Sequence, residues 1–192
     1  HEGEAELWEQ MASTRARVVA GDPAFAARVE EALGRIAARR RDPAAVARGA
    51  AAMRDLIAAE KGEGDAWDLK LAPGGLTDLD FIAQVLVLSH AADHPGLVGA
   101  STLEALRIAG QEGLLGPQDA TLLAEAEILL SNVFHWQRLT VDGPFGPDTA
   151  PAPILRRIAA AAGLPDAPRL EAHLARTRQE VRAVFDRLLR ER

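Results

Sequence analysis

The residue types best suited to chemistry lie in one short stretch of the sequence. A lysine, a glycine pair, two aspartates and a glutamine follow one another there: Lys70, Gly74, Gly75, Asp78, Asp80 and Gln84. Backbone N–H groups at a glycine-rich turn and at a helix N-terminus can hold an anion such as phosphate, and a lysine adds a positive charge. The two aspartates offer the oxygen ligands that Mg²⁺ prefers, although two carboxylates alone are a weak metal motif. Phosphate binding is therefore the chemistry that this stretch could support.

An ordinary helix start explains several of the same residues. The run from Thr77 to Asp80 is nearly a capping box, and acidic residues in a first helical turn interact favourably with the helix dipole. Gln84 follows Asp80 by four residues, so the two share one face of an otherwise apolar helix. A polar pair on a buried face needs hydrogen-bond partners. That face therefore either closes a hydrogen-bond network or borders a binding site, and the sequence leaves both interpretations open.

Polar residues elsewhere carry weaker signals. Arg15 and Arg17 precede a glycine break and are either surface charges or clamps for an anion. His90 and His94 have the spacing that can bind a metal, but the helix ends at Pro95, which favours ordinary helix-end histidines. Motifs of nucleotide-binding loops, metalloproteases and serine hydrolases are missing. We therefore predict no catalytic residue and no metal site in this chain.

The composition indicates a helical protein of the cytoplasm. The chain has 192 residues, of which 48% are hydrophobic and 26% charged, and its net charge is −6. It has no cysteine, which excludes disulfides, cysteine-ligated zinc and a thiol nucleophile. The negative charge argues against a nucleic-acid binder, and neither a membrane-spanning run nor a signal peptide is found. Aromatic residues make up only 4%, and the abundance of alanine and arginine favours helices over strands.

Apolar periodicity and cap residues predict an all-α fold of seven or eight helices, with an up-and-down four-helix-bundle-like core and flanking helices. Asp22 and Asp42, each followed by proline, mark two helix starts, and Ser101 with a glutamate three residues later marks a third. The helix from Asp78 to about Ala92 is apolar nearly all round, so we place it at the bundle centre. The predicted helices span about 4–20, 23–41, 43–60, 78–92, 101–110, 117–141, 154–162 and 169–192.

The stretch before the central helix is predicted to be non-helical. Apolar and polar residues alternate from Trp67 to Leu71, as in an extended segment with Lys70 on its polar side. A Pro-Gly-Gly turn follows, and we expect Thr77 to cap the next helix.

One internal boundary is predicted near the C-terminus. Residues 142–153 hold four prolines and two glycines and form the clearest loop in the chain. We therefore expect a helical bundle over residues 1–141, a loop over 142–153, and C-terminal helices over 154–192 that pack on the bundle.

The segment from Trp67 to Leu88 resembles a signature of the glutamine synthetase adenylyltransferase family. It reads WDLKLAPGGLTDLDFIAQVLVL, and the family pattern is roughly Phe-Asp-Leu-Lys, a spacer, Gly-Gly, Asp-Ile-Glu-Phe and a glutamine. The run TRARVVAGD, from Thr14 to Asp22, is similar to the segment that follows the nucleotidyltransferase domain in that family. The resemblance covers about residues 8–140, and we expect the tail to be the family's variable C-terminal helices.

Two positions depart from the family pattern. Trp67 stands where phenylalanine is usual, and Asp80 stands where glutamate is usual. Because the Asp80 side chain is one methylene shorter, we expect any distance-critical contact there to be looser or mediated by water.

The resemblance implies a role within a larger enzyme. Members of the family add AMP from ATP to a tyrosine of glutamine synthetase and remove it, with Mg²⁺ spreading the phosphate charge. Their nucleotidyltransferase domains carry a Gly-Ser turn followed by Asp-x-Asp, and this sequence lacks that context. The chain therefore resembles the helical domain beside the catalytic one, which shapes its site or docks the substrate protein. We expect it to be inactive alone and to bind no cofactor, ATP and Mg²⁺ being implied for the parent enzyme only.

The resemblance also suggests which residues face the catalytic domain or its active site. That face is expected to contain Lys70, Gly74, Gly75, Asp78, Asp80 and Gln84, with Arg15 and Arg17 at the junction. The expected partners are the adjacent nucleotidyltransferase domain of the same chain, glutamine synthetase and, as a further candidate, the PII signal protein. No nucleic acid or membrane partner is expected.

Two alternatives to this interpretation stay open. One is the helical domain of the sister family that uridylylates the PII protein, whose Gly-Gly-Leu-Thr-Asp-Leu-Asp-Phe run is related. The other is a stand-alone helical module for protein interactions. A nucleotidyltransferase domain encoded upstream would favour either enzyme over the module.

Overall fold

The computed structural model describes residues 6–62, 64–140, 145, 146 and 149–191. Over those residues it contains eight α-helices, one 3₁₀ turn at Pro95–Leu97 and no β-strand, which confirms the predicted all-α fold. The helices are α1 (Leu7–Ser13), α2 (Pro23–Ala37), α3 (Pro43–Lys61), α4 (Leu76–His90), α5 (Thr102–Gln111), α6 (Pro117–Thr140), α7 (Ala152–Ala161) and α8 (Ala167–Leu189). None of the helices in the described ranges is long and apolar enough to cross a membrane.

Cap residues set three of the helix starts that the sequence predicts. The Asp22 carboxylate accepts a hydrogen bond from the Phe25 N–H at 2.9 Å, and Asp42 does the same for Ala44 at 3.1 Å. Ser101 forms a reciprocal capping box at the start of α5. In each case a side-chain oxygen satisfies a backbone donor that has no partner within the helix, so local sequence is sufficient to define the start.

The central helix is α4, as its apolar sequence predicts. It packs against α1, α3, α5, α6 and α8, and it contributes Leu79, Ile82 and Leu88 to the core. α3, α6 and α8 surround it, and α8 also contacts α3, α6 and α7. The up-and-down order of these helices stays a prediction.

The first helix is shorter than predicted. α1 ends at Ser13, not near residue 20. The Ser13 and Thr14 hydroxyls donate to the carbonyls of Gln10 and Met11, each at 2.7 Å, and so satisfy groups that a further helical turn would use. The chain after Thr14 is therefore released from the helix.

The stretch before α4 consists of hydrogen-bonded turns and is not extended. The Asp68 carboxylate accepts from the backbone N–H groups of Lys70 at 3.1 Å and Leu71 at 2.9 Å. This side-chain turn replaces the strand that the alternating pattern predicts. The alternation of burial is nevertheless present, because Trp67 and Leu69 are buried whereas Lys70 is exposed.

The cap of α4 also differs from the prediction. Gly75 is the N-cap, α4 begins at Leu76, and Thr77 lies inside the first turn. The Asp78 carboxylate reaches back and accepts from the Gly74 N–H at 2.7 Å. The side chain that accepts a backbone hydrogen bond at this helix start is therefore that of Asp78, and not that of Thr77 as predicted.

The predicted loop at 142–153 falls partly outside the described residues, so its division of the chain stays a prediction. α7 and α8 follow it and pack against each other and against α6. Leu170, Leu174 and Phe185 of α8 are fully buried in the same core as α4. The C-terminal helices are thus part of the main core.

Candidate functional site

A buried ion-pair network lies behind the glycine turn. Asp78 is completely buried, and its Oδ1 accepts a hydrogen bond from the Nε of Arg54 at 2.5 Å. Its Oδ2 accepts from Gly74 and, at 3.2 Å, from Arg182 of α8. Arg54 is only 2% exposed and also donates to the Leu71 carbonyl at 2.7 Å. One carboxylate therefore joins α3, α4, α8 and the turn. We call Arg54, Gly74, Asp78 and Arg182 the Asp78 network.

Both positions of the pair must be glycine, because other parts of the backbone pass too close to leave room for a side chain. Gly74 has φ +74°, and a Cβ on it would lie 1.8 Å from the carbonyl oxygen of Arg178 in α8. Gly75 has an extended backbone, but a Cβ there would lie 2.6 Å from the Leu69 carbonyl oxygen. Neither carbonyl can move away without shifting its chain. The turn is therefore a packing element of this domain.

Three of the residues expected to face a neighbouring domain are packed inside this one. Gly74, Gly75 and Asp78 were expected on a face toward a neighbouring domain. The structure buries all three beneath α8 and the turn itself, and Asp78 is neutralised by arginines of this same chain. The buried carboxylate of Asp78 is tolerated because its arginine partners neutralise it, whereas an unpaired buried carboxylate would be far more costly.

Lys70 lies on the outer side of the turn. Its backbone N–H is held by Asp68, and its side chain is exposed. Within the described ranges, no carboxylate lies within ion-pair distance of its ammonium group. The backbone of Lys70 is thus positioned by local hydrogen bonds while its charge faces outward, where it can meet an anion or a carboxylate of another surface.

Asp80 joins three separate parts of the fold. Its Oδ2 accepts from Arg15, in the segment after α1, and its Oδ1 accepts from the Thr102 hydroxyl of α5 at 2.6 Å. Arg15 was expected at a domain junction, and the structure brings it to Asp80 as an exposed ion pair. Arg17 is also exposed, and the described part of the chain offers it no ion-pair partner.

Two further polar residues belong to this region: Gln84 follows Asp80 by one turn of α4, and Glu127 of α6 is close enough to feel the charge of Asp80. Gln84 is buried on α4. Glu127 of α6 accepts from the Ser131 hydroxyl at 2.9 Å through Oε1, whereas its Oε2 is buried without a hydrogen-bond partner among the described residues. Burial raises the pKa of Glu127 above its ordinary value; the Ser131 hydrogen bond opposes this effect and the charge of Asp80 adds to it. Glu127 was not singled out by the sequence patterns, because it lies 47 residues from Asp80 in the chain.

Replacing Glu127 with glutamine is expected to stabilise the chain slightly at pH 7. The charged form is penalised in the folded state, so its removal gains up to about 1 kcal/mol, the partly solvated position limiting the effect. As the pH falls, Glu127 takes up a proton in the folded state before it does so in the unfolded state, because its pKa is raised only in the folded state. Below the ordinary pKa of glutamate, the side chain is neutral in both states. The gain over the wild type should therefore disappear near pH 4.

Urea unfolding followed by circular dichroism from pH 8 to pH 4 measures this dependence. Glu125→Gln is the matched control, because Glu125 is exposed on the same helix. Equal shifts for both variants, or a Glu127→Gln gain that persists at pH 4, would contradict the assignment.

His90 is the last residue of α4, and His94 lies four residues further on, just before the 3₁₀ turn. The His90 and His94 rings are 6.4 Å apart between centroids, and the Nδ1 of His94 lies 3.3 Å from a Glu112 carboxylate oxygen. The part of the chain that the structure describes holds no group of three or more ligand-type side chains suited to a metal ion.

The sequence interpretation missed the arginines that complete the site. Arg54 and Arg182 neutralise Asp78, and Arg178 supplies the carbonyl that excludes a side chain at Gly74. Arg54 offered one signal, since it lies on α3 among residues that become buried, such as Ala50 and Ala51. Arg178 and Arg182 had none, because α8 contains several arginines of similar context.

The fold and the site together define a class of protein. This is a helical domain whose glycine turn is held from within, with one lysine and an Arg–Asp pair on its outer side. The chain belongs to the GlnD PII-uridylyltransferase family, whose model matches residues 51–189.

Curated relatives match nearly the whole chain. It is 48% identical over 190 residues to a bifunctional glutamine synthetase adenylyltransferase/adenylyl-removing enzyme of a Bradyrhizobium species. Enzymes of the same name from Rhodopseudomonas palustris and Xanthobacter autotrophicus are 45% and 46% identical over 98% and 97% of this chain. In all three cases the chain spans 19% of the relative's length.

These matches confirm the resemblance to the adenylyltransferase family and change two expectations. The similarity extends through α7 and α8 and does not stop near residue 140, in keeping with the contacts that α8 makes to the glycine turn. The names of the relatives do not favour the PII-uridylyltransferase alternative, although the family model bears that description.

Proposed function

We propose that this chain is the helical, non-catalytic domain of an enzyme that adenylylates and deadenylylates glutamine synthetase. The match between 99% of this chain and 19% of a relative with that name carries the proposal. In the parent polypeptide, the domain packs beside a nucleotidyltransferase domain and shapes its site or docks the substrate protein. The isolated chain transfers no AMP. A cytoplasmic location and PII as a regulator belong to the same proposal.

ATP and Mg²⁺ are assigned to the neighbouring domain, and the two aspartates that follow the glycine turn do not fit a metal ion. Asp78 is buried against two guanidinium groups. Asp80 uses one oxygen for Arg15 and the other for Thr102. A Mg²⁺ ion needs carboxylate oxygens that are not already paired with cations and that face water or a phosphate. We therefore assign no metal-dependent step to these residues.

The outer side of the turn is the proposed contact with the active site. Lys70 projects from it as an exposed cation, and the Asp78 network fixes the turn that follows. The exposed pair of Arg15 and Asp80, with Arg17 next to Arg15 in sequence, forms the rest of this surface, and Gln84 is buried one turn after Asp80 on α4. A lysine at such a position stabilises phosphate charge or pairs with a carboxylate of the catalytic domain.

Replacing Lys70 with alanine in the full-length parent is expected to lower the rate of AMP transfer about 10- to 100-fold, as loss of one charge-stabilising contact does. The melting temperature should hardly change, because an exposed charge contributes less than about 1 kcal/mol to stability. Incorporation of labelled AMP into glutamine synthetase measures the first quantity, and calorimetry measures the second.

Lys61→Ala is the matched control, since Lys61 is the only other lysine and is also exposed. Equal rates for the two variants would remove Lys70 from the proposed contact. Robust AMP transfer by the 192-residue chain alone would contradict the non-catalytic assignment.

A further inference from the structure

Two aspartates fold the stretch of chain from which Lys70 projects. The Asp65 Oδ1 accepts hydrogen bonds from the backbone N–H groups of Trp67 at 2.7 Å and Asp68 at 2.9 Å. Asp68 repeats this arrangement, because its Oδ1 accepts from Lys70 and Leu71. Side-chain turns of this kind fix the backbone locally, without help from a helix or a strand. We call residues 65–71 the aspartate turns.

The backbone of Lys70 is tied on its other side as well. Its carbonyl accepts a hydrogen bond from the Thr77 N–H at 3.1 Å, and the preceding carbonyl, of Leu69, accepts from the Leu76 N–H at 2.9 Å. Both donors lie at the start of α4. Lys70 is therefore held at its N–H and at its C=O, while its side chain is exposed.

Arg178 of α8 contacts this stretch both before and after Lys70. Before it, the Arg178 Nη1 donates to the Asp65 carbonyl at 3.4 Å. After it, the Arg178 carbonyl lies so close to Gly74 that a Cβ on the glycine would have no room. One residue of the last helix therefore spans the segment that carries Lys70, with its side chain at one end and its backbone at the other.

The Arg178 guanidinium is attracted by the charges of the aspartate turns. Burial lowers the pKa of Arg178, and the charges of Asp65 and Asp68 oppose this effect. In the part of the chain that the structure describes, neither aspartate lies within ion-pair distance of a cation, so the attraction acts at longer range. The Arg178 Nε is buried without a hydrogen-bond partner among the described residues. A buried donor left unpaired needs a reason other than hydrogen bonding.

We propose that Arg178 is a positioning residue for Lys70: its guanidinium holds the aspartate turns against α8 and so fixes the place from which the Lys70 ammonium group reaches the active site of the parent enzyme. This inference rests on the proposed function, and it adds which residue of the last helix sets the position of Lys70. A lysine side chain is a flexible four-carbon stem, so its charge occupies a defined place only if its backbone is fixed. A displacement of about 1 Å at a reacting centre can cost about 100-fold in rate.

Amide hydrogen exchange of the full-length parent tests the positioning step without measuring AMP transfer. Arg178→Met removes the charge and the unpaired donor, keeps an unbranched apolar side chain, and leaves the backbone carbonyl beside Gly74 in place. We expect the amides of Lys70 and Leu71 to exchange at least about tenfold faster in this variant, because the aspartate turns open more often. Arg176→Met is the matched control, since Arg176 is exposed on the same helix and its polar contact is His173 of α8 itself. It should leave both exchange rates unchanged.

Rates of AMP transfer then separate positioning from a purely structural role. In the parent, Arg178→Met should lower the rate about five- to tenfold, and Arg178→Lys should recover most of that loss because it keeps the positive charge. In a Lys70→Ala background, Arg178→Met should change the rate less than about twofold, because no ammonium group is left to position. A residue that only stabilised the domain would lower the rate by the same factor in both backgrounds.

Two results would overturn the inference. One is unchanged amide exchange at Lys70 and Leu71 in the Arg178→Met variant. The other is an equal loss of rate with and without the Lys70 side chain. Failure of the proposed function has a different signature, in which Lys70→Ala leaves AMP transfer unchanged although Arg178→Met still speeds exchange at Lys70. The positioning role would then fall together with the proposed active-site contact.

Discussion

Replacing Gly74 with alanine is expected to destabilise the chain by roughly 4 kcal/mol or more, an exceptional cost for one methyl group. The new Cβ would lie 1.8 Å from the Arg178 carbonyl oxygen, and both atoms belong to backbone. Either α8 must shift away from the turn, or the turn must leave the Asp78 network. Both changes break packing in the main core. Chemical denaturation of the 192-residue chain, followed at 222 nm, measures the loss.

Gly163→Ala separates this collision from the cost of backbone conformation. Gly163 has the same φ of +74°, but a Cβ there would meet nothing within 4 Å. Its substitution should cost about 1–2 kcal/mol, the ordinary penalty for a left-handed residue with a side chain. Equal losses of stability in the two variants would contradict the close contact between the glycine turn and the α8 backbone.

Replacing Asp78 with alanine is expected to lower the free energy of unfolding by about 3–5 kcal/mol. Arg54 would remain almost completely buried without its carboxylate, and the Gly74 N–H would lose its acceptor. Arg182 is less affected, because it also pairs with Asp186 and lies over the Phe185 ring. The unpaired charge of Arg54 is therefore the main source of the loss.

Two comparisons make this second prediction specific. Asp93→Ala breaks the exposed pair with Arg40 and should cost less than about 1 kcal/mol. The double variant Arg54→Met with Asp78→Ala should recover part of the loss, because no charge is then left buried. An Asp78→Ala variant as stable as Asp93→Ala, or a double variant with strictly additive losses, would contradict the network.

Local sequence was sufficient for most of the fold. Asp22, Asp42 and Ser101 mark helix starts because a cap involves only residues two or three positions apart. The central position of α4 followed from its apolar composition. The end of α1 could not be predicted, because the Thr14 hydroxyl can bond either within a helix or at its end.

The candidate site was predicted in part, for reasons of distance along the chain. Lys70 and Asp80 were found because their types and their positions near a glycine turn suggest binding. The inward direction of Asp78 could not be read, since its partners Arg54 and Arg182 lie 24 and 104 residues away. An acidic residue in a first helical turn has the same local sequence whether it faces solvent or the core.

The contact between the glycine turn and α8 has a consequence for synthesis on the ribosome. Arg182 follows Asp78 by 104 residues, which at about 5–20 residues per second takes about 5–20 seconds to translate. During that interval the nascent chain can pair Asp78 with Arg54, but nothing yet covers the turn. The segment that bears the family signature is therefore completed only when the last helix has emerged, although most of the domain has been translated by then.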